Sequence, residues 1–335
     1  MPSTPICGVN LGGWLVLERW ITPSLFAGTS ALDEHSYCAH ADQQARDRLR
    51  QFRDTFITRE DFVWLAAHDI QAVRLPVGYW VFGDESPFQE TISYVDRVFE
   101  WAEDTGFSVL IDFHGLPGSQ NGRDHSGHAG ATNWHRDTSY VQRSMDTVTR
   151  LAERYHDRSS LLGISLINEP HPRIPKRLLT EYYEQAYARI RRICGSKPWI
   201  VFSDGYLPVR WKAALPMNTY PGTVIDTHHY QIFTPLDKAL SSRAQLWRTR
   251  HQLPRKLHRL AEHHPVIVGE WSLTLNDRAY AGLSSDQHDA LARSYAAAQM
   301  AAFRDCAAWF FWTYKTEAGG SWSLRDCEQR GWMGR

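Results

Sequence analysis

The sequence predicts an α/β fold, a single (β/α)8 barrel filling residues 1–335, on three observations. Eight short apolar runs alternate with longer amphipathic stretches along nearly the whole chain, the pattern of repeated βα units with a parallel sheet. No low-complexity linker divides the chain, and its length suits one such barrel. Each apolar run also stops on a polar or aromatic residue, as strands do when they deliver a site to one face of the sheet.

The runs are, in order, "ICGVN", "QAVRLP", "FSVLIDFH", "LGISLINE", "WIVFSD", "TVIDTHH", "VIVGEW" and "AAWFFWTY". Between them, "TREDFVWLAAHD" opens with Thr58 and Asp61 in capping-box spacing, and "SYVDRVFEWAEDTG" closes on Gly106. "YVQRSMDTVTRLAERY" and "RLLTEYYEQAYARIRRICG", the latter closing on Gly195, complete four clear helices. A doubly wound sheet of six or seven strands is the runner-up, but no GxGxxG follows the first strand. Residues 11–56 and 115–137 are long for βα connections, which usually run about 2–6 residues, and both would overhang the same mouth.

Lys plus Arg equals Asp plus Glu at 37 each, so nothing in the net charge points to nucleic acid or to an anionic membrane. No stretch approaches a membrane span, and the first residues lack a basic segment followed by an apolar one. The expectation is a cytoplasmic protein or one whose export signal has been removed, and a monomer. Five widely spaced cysteines allow at most two disulfides, fit reduced thiols equally well, and show no metal spacing. No cofactor or metal is expected. Fourteen tryptophans offer flat faces for stacking on sugar rings, though plain core filling is the commoner use.

The strand ends supply Asn10, with Glu18 a short way into the first loop, then Arg74, His114, Asn168 and Glu169, Ser203 and Asp204, His228 to Tyr230, Glu270, and Trp312. Each alone has an ordinary structural explanation; together they would face one pocket. Glu169 after the fourth strand and Glu270 after the seventh are far apart in sequence but share a barrel mouth. Two such carboxylates are what glycoside hydrolysis requires, about 5–5.5 Å apart for retention and roughly 6.5–9.5 Å apart for inversion.

With these residues in place, "NEP" and "GEW" resemble glycoside hydrolase family five. "GVNLGGWLVLERWITPSLF", "RLPVGYW", "HGLPGSQNG", "HHYQIF" and "FFWTYKTE" are similar to its exo-β-1,3-glucanase branch, in the right order from residue 8 to about 325. The resemblance implies a retaining β-glycosidase acting on a β-glucan or β-glucoside, with Glu169 as acid/base and Glu270 as nucleophile. It further implies that Arg74 lies under Glu270, that Asn168 donates to the sugar 2-hydroxyl, and that Glu18 and His114 bind the far side of the −1 glucose. His228 and Tyr230 would line the pocket, Trp312 would floor it, and Asp124 would help close it.

Two departures from the fungal pattern bear on substrate. Arg123 replaces an aromatic, and His125 replaces an asparagine; the other half of the aromatic clamp on the +1 sugar survives as Phe233. The segment after "KTEAGGSW" is shorter than in the fungal enzymes, which would leave a more open cleft. The alternatives are a β-glucan transglycosylase, a β-glucosidase on another linkage or aglycone, a non-catalytic sugar-binding barrel, and a metal-dependent barrel hydrolase suggested by sixteen histidines.

Overall fold

The computed structural model describes residues 4–207 and 215–334. Eight parallel strands close a barrel in chain order: β1 (Ile6–Asn10), β2 (Ala72–Gly78), β3 (Ser108–Gly115), β4 (Leu161–Ser165), β5 (Trp199–Ser203), β6 (Thr223–His229), β7 (Val266–Trp271) and β8 (Ala308–Phe311), with β8 returning to pair β1. This is the fold the alternating runs predict. The helices are α1 (Glu34–His40), α2 (Gln43–Phe56), α3 (Arg59–Ala66), α4 (Ile92–Thr105), α5 (Thr138–Tyr155), α6 (Lys176–Cys194), α7 (Pro235–Ala239), α8 (Ser242–His251), α9 (Leu253–Ala261), α10 (Asp277–Tyr280), α11 (Ser285–Ala302) and α12 (Leu324–Gln329). Among them, the Thr58–Asp61 capping box and the left-handed Gly106 stand where the sequence puts them.

Inward and outward faces of the strands divide the core in two. Ala72, Leu110, Val201, Val224, Ile267, Ala308 and Phe310 fill the barrel interior, while a larger cluster that includes Val73, Val109, Val268 and Trp309 packs under the helices. Two residues further along several strands the inward position turns polar, giving Arg74, Asp112 and Asp226 above an apolar plug. The plug keeps water out of the lower barrel, so the charges above it must satisfy one another.

Three expectations are revised. β4 leaves the ladder at Ser165, and residues 166–169 run on irregularly, with Leu166 N bonded to Val201 O and Asn168 N to Phe113 O. The last strand likewise stops at Phe311 rather than running to Tyr314. The connection 11–56 is no open loop: α1 and α2 occupy its second half, tied to its first by the buried Arg53–Glu34 pair, whose other carboxylate oxygen accepts from Leu17 N. Pro76 sits inside β2 without cost because the β1 register ends at Asn10–Arg74, so its missing N–H has no ladder partner to lose. Among the described residues no disulfide joins any of the five cysteines.

Candidate active site

The site is organised around Arg74, which is fully buried on the inward face of β2. Its Nη1 donates to Asn10 Oδ1 at 2.9 Å and to Glu270 Oε1 at 3.0 Å; its Nη2 donates to Asn168 Oδ1 at 2.9 Å and pairs with Asp112 Oδ1 at 3.0 Å. Asp226 Oδ2 stands 3.6 Å from the same nitrogen. Burial opposes the charge, but Asp112, Glu270 and Asp226 together hold the guanidinium well above its ordinary value. One permanent cation thus gathers side chains from four strands, β1, β3, β6 and β7, and Asn168 beyond β4, and a planar fork does this where a lysine would not.

Glu270 faces inward because β7 carries a one-residue bulge. The β6–β7 register passes from Thr227–Val268 to His228–Glu270, skipping Gly269, so Gly269 and Glu270 both turn toward the interior while Trp271 joins the outer core. Gly269 cannot be larger. A Cβ there would stand 2.2 Å from Asp226 Oδ1, the atom that accepts from Gly269 N at 2.8 Å. Gly269→Ala is therefore expected to cost roughly 1–3 kcal/mol and to move Asp226 and Glu270 together, read as a lowered melting temperature with a disproportionate loss of kcat.

Glu169 is placed differently, by a backbone that departs from the ladder. Its φ is +44, a left-handed conformation for a non-glycine residue, and Pro170 follows it. Such strain costs on the order of 1–3 kcal/mol and persists where neighbours over-determine it. Here Asn121 Nδ2 donates to Glu169 O at 3.3 Å, and Gln120 Nε2 bonds both Asn168 O at 2.9 Å and His114 O at 2.6 Å. The loop after β3 therefore holds the end of β4 in position.

The side chain of Glu169 has three neighbours. His228 Nδ1 stands 2.7 Å from Oε1, the Tyr206 hydroxyl donates to the same oxygen, and His125 Nε2 stands 3.4 Å from Oε2. Glu270 takes the Tyr230 hydroxyl on Oε2 at 2.8 Å, with His228 Nδ1 3.4 Å from that atom. One oxygen of Glu169, one of Glu270 and a nitrogen of His228 all lie within 4.8 Å of one another.

Two Asp-x-His pairs on the inward face acquire opposite properties. On β3, His114 Nδ1 lies 2.6 Å from Asp112 Oδ2, yet burial dominates and lowers the imidazole to about 4, with His125 and Arg74 opposing a second charge. It is neutral, donates to Asp112, and offers Nε2 to Asn168 Nδ2 at 3.3 Å. On β6, burial also opposes the charge of His228, but the carboxylates of Glu270, Asp226 and Glu169 outweigh it and raise the imidazole well above its usual value. Both ring nitrogens of His228 face carboxylates, Nδ1 those of Glu169 and Glu270 and Nε2 Asp226 Oδ2 at 3.5 Å, an arrangement that suits two N–H donors better than a lone pair offered to a metal.

Those charges set the two glutamates apart. Burial pushes Glu270 up to about 7, and Glu169 adds to the push against His228, Arg74 and Tyr230. Burial would raise Glu169 as well, but the His228 hydrogen bond and charge, with His125 and Tyr206, hold it well below the usual carboxylate range. Two carboxylates this close share one proton near neutrality, and the titration belongs to the pair.

The family model described as Cellulase (glycosyl hydrolase family 5) matches residues 41–317. The chain belongs to glycoside hydrolase family 5. Its relatives include proteins named "Probable glucan 1,3-beta-glucosidase A" from Aspergillus niger, 34% identical over 97% of this chain and 86% of that protein, and from Emericella nidulans, 34% identical over 95% and 87%. Arthroderma benhamiae supplies a "Probable glucan 1,3-beta-glucosidase" at 33% identity over 97% and 88%. Among solved structures, a rutinosidase from Aspergillus niger superposes with a TM-score of 0.85 at 22% identity, covering 98% of each chain. An endoglucanase from Thermotoga maritima follows the same barrel at 0.60 and 14%, covering 97% of this chain and 93% of that one.

Seen as a family 5 glycoside hydrolase, the chain brings Glu169, Glu270, Arg74, Asn168, His114, His125, His228 and Tyr230 into one connected network. Trp312 lies nearly parallel to His114, ring centroids 5.5 Å apart, beneath it. Glu18 is buried, accepts from Trp20 Nε1 at 2.8 Å, and leaves Oε1 without a hydrogen-bond partner; burial, then the charge of Asp124, raise its carboxyl well above the usual range. That unpartnered oxygen can form a hydrogen bond with a sugar hydroxyl. Phe233 is 63% exposed and meets the Tyr230 ring edge-on at 5.4 Å, on the rim rather than in the pocket.

The fifth strand corrects the expected convergence. Ser203 and Asp204 stay outside the network, Asp204 accepting from Thr227 Oγ1 at 2.7 Å and from Tyr206 N at 2.8 Å. Tyr206 reaches Glu169 in their place. His229 points away from His228, and burial near Lys256 and Arg248 lowers it to about 3. The sequence reading also passed over Asp112, Asp226 and Gln120. The two aspartates did leave a signal, a charge inside an apolar run two residues before a histidine; Gln120 and Tyr206 left none.

Proposed function

We propose that the chain is a retaining β-glucosidase that removes glucose from β-1,3-glucan or its oligosaccharides, with residues 1–335 acting as one catalytic unit. The observation that carries this is that one oxygen of Glu169 and one of Glu270 lie within 4.8 Å of each other, which brings the two carboxyl groups to one anomeric carbon. Inversion needs room for a water between the carboxylates, roughly 6.5–9.5 Å, whereas retention needs contact with both sides of one anomeric carbon. The names and coverage of the fungal relatives support glucose and the β-1,3 linkage.

Glu270 attacks C1 while Glu169 protonates the departing oxygen; C1–O of the glycoside breaks as C1–O of the ester forms. Glu169, now ionised, takes a proton from water, and the hydroxide oxygen attacks C1 and frees Glu270. Arg74 and the Tyr230 hydroxyl stabilise the Glu270 carboxylate as it departs. Arg74 also fixes Asn168 Oδ1, so that Nδ2, which meets His114 Nε2 through one N–H, has its second N–H to offer the 2-hydroxyl, where charge on the sugar strengthens the bond. Glu18 and Asp124 close the far side, which supports release of one sugar at a time.

The first glycosylation step needs the pair's one proton on Glu169, the less favoured of its two positions, since the surroundings favour it on Glu270. Because the proton is lost around pH 7, kcat/KM is expected to fall about tenfold per unit above that value and to hold below it until the depressed carboxylate protonates. A profile flat to pH 9 on a poor leaving group would count against the assignment. Digestion of laminarin, laminari-oligosaccharides and other β-glucans tests the substrate. Glucose as the sole early product of β-1,3 substrates is expected; internal cleavage, or transfer products dominating over glucose, would contradict it.

A further inference from the structure

We propose that the leaving-group side of the cleft is built for an anion, so that the glycosides cleaved best carry a carboxylate or other acidic substituent on the group that departs. This rests on Glu169 as acid/base, because that assignment fixes which side of the −1 sugar the leaving group occupies.

With Oε1 of Glu169 engaged by His228 and Tyr206, Oε2 is the oxygen free to meet the glycosidic bond, and His125 Nε2 stands 3.4 Å from it. Residues 121–125 arch over Glu169, anchored by Asn121 on its backbone oxygen at one end and by His125 on its carboxylate at the other. Arg123 lies between the anchors and is exposed. From the opposite side, His171 N donates to Gln120 O at 3.0 Å and Arg173 N to His171 Nδ1 at 3.0 Å, which sets an exposed Arg173 on the same rim. Burial, then the charges of Arg173 and Arg123, lower the His171 imidazole, placing all three side chains within electrostatic reach of one another.

The arginines along α5 are held by carboxylates, and those on the rim are not. Arg143, Arg150, Arg154 and Arg158, on α5 and just beyond it, pair with Glu85, Asp84, Asp96 and Glu103. Among the described residues no ion pair forms on Arg123 or Arg173. Of the rim's own carboxylates, Asp124 bears on Glu18 across the pocket and Asp137 caps α5 by accepting from Ser139 N at 2.8 Å. What distinguishes Arg123 and Arg173 is their place: two exposed guanidinium forks without an ion pair stand on the segments that anchor Glu169. That fork matches a carboxylate or a sulfate in two-point contact.

The test compares kcat/KM for 4-nitrophenyl β-glucoside with its 3-carboxy-4-nitrophenyl counterpart, and for laminaribiose with glucose β-1,3-linked to glucuronic acid. The second pair separates an acidic sugar from an acidic aryl group. At low salt the acidic member of at least one pair is expected to lead by on the order of tenfold. The lead should shrink toward parity in about 0.5 M NaCl and in the R123A/R173A double variant. Equal rates in the unmodified enzyme, or a lead that the double variant retains, would overturn the proposal. Failure to cleave any of the four would instead bring down the assignment of Glu169 and the proposed function, and the inference with them.

Discussion

Glu270→Gln is expected to lower kcat/KM on 4-nitrophenyl β-glucoside by on the order of 10⁴-fold or more, with the fold intact. The amide cannot form the ester, and no other carboxylate can replace it, because Asp226 is held behind it by Gly269 N and Asp112 is locked to Arg74 and His114. The loss should be in kcat, since the sugar contacts proposed for Glu18, His114 and Asn168 remain. Near wild-type turnover would sink the assignment. A melting curve belongs beside the kinetics, for the amide keeps only part of the Arg74 interaction.

Glu169→Ala is expected to separate substrates by their leaving groups. An alkyl or sugar leaving group needs the proton, so its rate should fall by roughly 10²–10⁴-fold, while an activated nitrophenolate should still reach the glycosyl-enzyme. The second step then lacks its base, the intermediate accumulates, and azide should restore turnover and yield a glucosyl azide of β configuration. Equal losses on both substrates with no azide effect would contradict the role. Removing Glu169 also relieves His228 of one carboxylate, so the alanine variant should bind less tightly to cationic sugar analogues.

The barrel was legible because its strands are buried on both faces, and burial on both faces writes itself as contiguous apolar runs. β1, β6 and β7 begin and end where "ICGVN", "TVIDTHH" and "VIVGEW" do. β4 and β8 overran because Leu166, Ile167 and Trp312 are as buried as ladder residues without belonging to the ladder, and hydrophobicity reports burial rather than hydrogen bonding. Helices α1 and α2 escaped since their role is to line a connection, and their polar faces dominate: in "QQARDRLRQFRDTF" only Ala45, Leu49 and Arg53 are buried.

The site divides along the same line. Residues that end strands could be read, for the barrel carries them to one place whatever their neighbours are. Tyr206 could not, because it arrives through a left-handed turn (φ +61) two residues after Asp204, and Gln120 acts by bonding two backbone oxygens that only the folded loops bring together. His125 was legible as a position and not as a contact. Its approach to Glu169 depends on the arch of residues 121–125, a matter of loop geometry.

Whether Glu270 becomes covalently glycosylated is decided most directly by incubating the enzyme with an activated 2-deoxy-2-fluoro-β-glucoside and weighing the intact protein and its peptides. The account predicts a stable gain of one fluoroglucosyl group, located on the peptide containing Glu270 and on that residue within it. A label on Glu169, or turnover of the unfluorinated substrate with no label on any carboxylate, would contradict it.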